Sequence, residues 1–80
     1  MQETQMSVMD IRVLVGRNVR KFRDANDLSQ EELAELSGLH RTYVSGVERG
    51  VRNPTVMILE KLATALGTRP AALLDVLSEK

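Results

Sequence analysis

The sequence has no cysteine and a single histidine, His40. The first absence excludes a disulfide framework and any thiolate metal site. The second removes the usual zinc ligand sets. Neither a metal nor a cofactor is therefore expected. No apolar run approaches the roughly 18 to 20 residues that span a bilayer. The opening MQETQMSVMD lacks the basic-then-apolar order of a secretion signal. A cytoplasmic chain with no membrane partner is the expectation. Also missing are a nucleophile–base set, a paired carboxylate cluster and a phosphate-cradling glycine loop, so no enzyme is expected. Sustained apolar alternation and Asn-Gly hairpin turns are absent too, which leaves no candidate strand. Eighty residues allow one domain, 1–80, whose core must be compact and mostly local.

Charge of one sign is not in excess either, because eleven basic and eleven acidic residues cancel. A zero net charge at first speaks against a polyanionic partner, but the order of the charges points the other way. Between Arg12 and Arg23 the charged residues are Arg12, Arg17, Arg20, Lys21 and Arg23, all basic. Between Asp24 and Glu35 they are Asp24, Asp27, Glu31, Glu32 and Glu35, all acidic. Between His40 and Asn53, Arg41, Arg49 and Arg52 are set against Glu48 alone. A phosphate responds to the local field rather than to the sum.

Helical punctuation fills the chain. Ile11, Leu14, Val15, Val19 and Phe22 form one stripe between about Val8 and Ala25, ended by the turn formers of DANDLS. Ser29 stands three residues before Glu32, a capping box that opens a second helix through Leu33, Ala34 and Leu36. Gly38 stops it. A third helix, from about Arg41 to Arg49, buries Val44 and Val47 and ends at Gly50. After the VRNP loop, Thr55 can cap a fourth helix whose inner stripe is Val56, Leu59, Leu62, Ala63 and Leu66, with Gly67 as its stop. Pro70 opens a fifth, to about Leu77. Residues 1–7 are expected to be flexible. The prediction is an all-α fold of five short helices.

The second and third helices are joined by SGLH alone, which forces a sharp corner at about residues 30–49. A helix-turn-helix needs a small residue where its helices touch, and Ala34 supplies it. It needs a residue tolerant of positive φ in the turn, and Gly38 supplies that. Leu33, Leu39, Val44 and Val47 clamp the pair to the rest, while Ser37 can bond back to its own helix. A plain helical corner in a small bundle would satisfy the same spacing. The outward set on the third helix, Arg41, Thr42, Ser45 and Arg49, suits base edges and phosphates better than a merely solvated face.

With SQEELA, VERG followed by NPT, and LEKLATALG, the chain resembles the phage-repressor (Cro-like, Xre) helix-turn-helix regulators from about Val15 to Leu74. HRTYVSGVERGVRN is most similar to restriction–modification controller proteins, small homodimeric regulators. The resemblance implies a lambda-repressor-like domain whose third helix enters the major groove of double-stranded DNA. It makes Arg41 and Thr42 the candidates for direct readout, flanked by Ser45 and by Tyr43, which either meets a phosphate or base step or packs between helices. Gln30 is placed on a phosphate, and His40, where an N-cap belongs, is a substitute for a cap or a contact to the DNA backbone. Arg49, Arg52 and Asn53 fall in the loop where phosphate contacts are expected. Arg23 and Glu48 match a structural salt bridge. Gly46 sits where related proteins carry a longer side chain, either so that the helix can approach the duplex closely or because no base is read there.

A near-palindromic site read by two copies would place the recognition helices about 34 Å apart. Leu73, Leu74, Val76 and Leu77 offer more apolar surface than a short terminal helix can hide, and Met57 and Ile58 add apolar area on the fourth helix, so residues 68–80 are the expected dimerisation segment, unless Leu73 and Leu77 complete the core of the single chain. No effector domain is present, so no small-molecule effector is expected. The rival reading is a protein-interaction module on the same scaffold, of antitoxin or anti-repressor type.

Overall fold

The computed structural model describes residues 10–76. Four α-helices follow one another, α1 (Ile11–Ala25), α2 (Gln30–Ser37), α3 (Arg41–Glu48) and α4 (Val56–Leu66), and a short 3₁₀ turn, Pro70–Leu74, closes the chain. There is no strand among the described residues, and none of the helices is long and apolar enough to cross a membrane. Helix α1 packs across α3 and the 3₁₀ turn, α2 and α3 form the corner, and α4 lies against α2 and the 3₁₀ turn.

Each boundary has a local cause. Helix α1 starts at Ile11 rather than near Val8, because the Asp10 carboxylate accepts the Arg12 backbone N–H at 2.8 Å. An extended Asp is a strong N-cap, and its charge suits the positive end of the helix. At α2, Ser29 Oγ accepts the Glu32 N–H at 3.0 Å while Glu32 takes the Ser29 N–H at 2.8 Å, so both bonds of the predicted box form. Gly38 ends the helix at φ 74°. Thr55 Oγ1 accepts the Ile58 N–H at 3.1 Å to open α4.

The core is built from Val19, Leu33, Val44, Val47, Leu62 and Leu73, all essentially inaccessible, with Ala34 between α2 and α3. Ser37, the polar member of this wall, donates back to the Leu33 carbonyl at 2.7 Å, so its hydroxyl is satisfied without leaving the helix. Three residues assigned to inner stripes are exposed instead: Ile11, Leu36 and Val56. Ile11 and Val56 are the first residues of their helices, beyond the end of the packed stripe. Leu36 lies on the flank of α2 away from Leu33, Ala34 and Ser37.

The fifth α-helix is not formed. Pro70 does open a helical turn, but it is 3₁₀, ends at Leu74 and gives way to extended backbone at Asp75. The side chain of Asn18, only 2% exposed, donates to the Leu73 carbonyl at 2.9 Å and to the Asp75 carbonyl at 2.8 Å. Those carbonyls are held by α1 rather than by a continuing helix. Leu73 is 0% exposed, which corrects its assignment to a dimer surface: it completes the core of the single chain. Leu77 and residues 1–7 lie outside the described residues.

Candidate nucleic-acid interface

Helix α3 is anchored from behind. Arg23 on α1 grips Glu48 with two bonds, Nε to Oε2 at 2.6 Å and Nη2 to Oε1 at 3.0 Å, and donates to the Leu28 carbonyl at 2.8 Å. Both side chains are largely buried, and the bond to Glu48 holds the guanidinium pKa above its ordinary value. A Cβ on Gly16 of α1 would fall on the Val47 carbonyl oxygen and 2.7 Å from that of Glu48, so the two helices meet backbone to backbone. Gln30 joins the same group: its Nε2 donates to Glu48 Oε1 at 3.1 Å. One amide hydrogen of the residue assigned to a phosphate is thus engaged inside the protein, which fixes the side chain at the start of α2.

The opposite side of α3 is open. Arg41 and Thr42 are exposed in its first turn, Ser45 is half-exposed and Arg49 is exposed at the far end. Arg49 Nε donates to the Ser45 carbonyl at 3.3 Å, which lays its stem along the helix. His40 occupies the N-cap position but its side chain makes no cap bond, so it does not substitute for a cap. It stands exposed at the start of α3. Val44 and Val47 face the core.

The loop residues separate. Arg52 folds back over α3, with its guanidinium carbon 5.5 Å from the centre of the Tyr43 ring. Tyr43 itself is half-buried against the core, so it packs and also serves as a platform. Asn53, exposed, borders a small cleft of about 130 Å³ with Ile11, Val15, Pro54 and Leu74 at the junction of α1 and α4. Gly46 is buried beneath Arg52, which corrects the idea that its missing side chain clears space for the duplex.

Sequence reasoning missed Gly16, Asn18 and the Arg52–Gly46 packing. Only Gly16 carried a local signal, a glycine inside a strong helical stripe. On the predicted dimer surface, Met57 and Val76 are 66% and 83% exposed and Leu74 is partly exposed, whereas Ile58 is half-buried against the core. No group of three or more potential metal ligands occurs among the described residues.

A corner of two eight-residue helices, with one pinned from behind and presenting Arg and Thr from its first turn, defines a helix-turn-helix protein. The helix-turn-helix family model matches residues 19–73, and the chain belongs to this Xre-type family of DNA-binding transcription regulators. Its relatives are specific within that class. It is 50% identical over 74 residues to Control protein C.SmaI of Serratia marcescens, covering 92% of this chain and 88% of the relative. It is 48% identical over 67 residues to Control protein C.BamHI of Bacillus amyloliquefaciens, covering 82% and 83%. Among solved structures, the restriction–modification controller protein C.AhdI from Aeromonas hydrophila aligns with a TM-score of 0.75 and 53% identity, over 78% of this chain and 94% of that one. The biofilm master regulator SinR, crystallised in complex with DNA, aligns with a TM-score of 0.73 and 34% identity, over 76% and 98%.

Proposed function

We propose that this chain is a cytoplasmic, sequence-specific regulator of the restriction–modification controller type. It binds a near-palindromic double-stranded operator as a homodimer, with α3 in the major groove. One observation carries the reading. Arg41 and Thr42 stand exposed at the start of α3, Arg49 is exposed at its other end and Arg52 folds back over the helix to Tyr43, and none of these arginines pairs with a carboxylate among the described residues. Uncompensated guanidiniums beside a hydroxyl are suited to guanine edges, to thymine and to phosphate oxygens. The names of the relatives at about half identity, Control protein C.SmaI and Control protein C.BamHI, support the same assignment.

Arg41 is the residue for bidentate guanine contact, and Thr42 supplies a hydroxyl and a methyl. Gln30, held by Glu48, offers its second amide hydrogen to a phosphate, with His40, Tyr43, Ser45 and Arg49 around the same strand. Asn53, on the other side of its loop, is the least suited of the set. Met57, Leu74 and Val76 are the apolar surface left for a second copy.

Selection of bound sequences from a random duplex pool tests the proposal. Two half-sites about 34 Å apart are expected, and Arg41→Ala should cost about 1–3 kcal/mol at one base position in each. Should the protein show no preferred sequence, or should Arg41→Ala with Arg49→Ala leave binding intact, the protein-interaction reading would replace this one.

A further inference from the structure

We propose that Arg52 reads a base rather than clamping a phosphate, and that Gly46 is the residue that positions it; this deepens the operator-binding reading and rests on it. At about 100° per residue, position 46 lies only about 40° around α3 from Thr42. It is on the outward side, away from Val44 and Val47. A side chain there would face the ligand. Gly46 is nevertheless buried, and what buries it is Arg52. A Cβ at this position would come within 2.7 Å of Arg52 Cγ, 3.2 Å of Nε and 3.5 Å of Cδ. The whole stem of Arg52 therefore lies in the groove that the missing side chain leaves.

The direction of that stem matters most. The chain turns back at Gly50, φ 78°, and the Val51 N–H donates to the Gly46 carbonyl at 3.0 Å, which ties the root of the loop to the helix. From there Arg52 crosses Gly46 and ends over Tyr43, a turn closer to the N-terminal end of α3. That end is where recognition helices meet base edges. A phosphate clamp would extend from the loop to the flank of the helix instead. Held over the ring by cation–π attraction and bonded to no acceptor among the described residues, the guanidinium keeps its N–H groups available. Those groups match guanine O6 and N7. The loop thus supplies, at the register of position 46, the reading group that the helix lacks.

The test uses the full chain and its Arg52→Ala, Arg52→Lys and Gly46→Ala variants. Each is put through selection from a random duplex pool and through affinity measurement across a salt series. Arg52→Ala should lose about 5- to 150-fold preference at one base position per half-site, separate from the position that depends on Arg41. Arg52→Lys, which keeps the charge but not the planar fork, should lose that preference and keep the salt slope. Gly46→Ala should lose most of it through displacement of Arg52, with folding unharmed because alanine favours a helix over glycine. Uniform weakening of all sequences by Arg52→Ala, with a salt slope lower by about one, would make Arg52 a phosphate contact and overturn the assignment alone. Retention of the wild-type preference by Gly46→Ala would overturn the role of Gly46. Absence of any preferred motif in the wild type would overturn this assignment and the operator reading together.

Discussion

Helices α2 and α3 have the same length and belong to the same motif, yet they are started in opposite ways. Helix α2 carries its own instructions: a capping box at Ser29 and Glu32, acids in its first turn and a left-handed Gly38 at its end. Helix α3 has no side-chain cap and no acid in its first turn, although it too stops at a left-handed glycine, Gly50. Its sequence, RTYVSGVE, is rich in residues of low helix propensity. What keeps it helical is elsewhere in the chain: the burial of Val44 and Val47, the Gly16 contact and the grip of Arg23 on Glu48. A helix stabilised from behind can leave its front turn open, and the residues of that turn can be chosen for a ligand rather than for helix stability.

The contrast can be broken at its anchor. Glu48→Ala strands a largely buried arginine and frees Gln30, and it should destabilise the fold by about 3–5 kcal/mol. Urea unfolding followed by circular dichroism would measure this, and a loss below 1 kcal/mol would mean that packing alone holds α3. The contrast is sharpened by cutting at the two N-caps. Ser29→Ala should cost about 1 kcal/mol, whereas His40→Ala, with no cap bond to lose, should change stability by less than about 0.5 kcal/mol. Equal effects at the two sites would erase the difference between the helices. The smallest effect concerns a third cap, one whose strength depends on charge. Hydrogen bonds to the Arg12 side chain and backbone lower the Asp10 pKa from its ordinary 3.8 to about 2. A depressed carboxylate pKa contributes stability above the unfolded value, and the contribution is lost as pH falls through the folded one. Acid titration should therefore show a small loss between about pH 4 and pH 2 that Asp10→Asn removes.

Legibility follows the same division. At Ser29–Glu32, Gly38, Thr55 and Gly67 the structural decision is made within a few residues and the spacing alone foretold it, whereas the equally local Asp10 cap was not foretold. The Arg23–Glu48 pair, 25 residues apart, was legible only through family resemblance. Contacts made by folding were not legible. Nothing near Leu73 in sequence says that Asn18, 55 residues earlier, will hold its carbonyl and that its side chain will be core rather than surface. Nothing at Arg52 says that it will lie over a glycine six positions back. The exposed Leu36 and Val56 show the reverse error, in which periodicity near a helix end implies burial that no neighbouring element supplies. Within the candidate interface, the residue types of α3 were readable, but the directions in which Arg52 and Asn53 leave their shared loop were not.

Asn18 has a mechanical consequence. By holding the Leu73 and Asp75 carbonyls, it ties the segment after α4 to the middle of α1. Whatever associates with that segment is measured from the same rigid frame that carries the reading surface. Two such bodies joined at their edges would behave as a caliper with fixed jaws. Such a caliper would tolerate a changed letter in its target far better than one inserted between the halves.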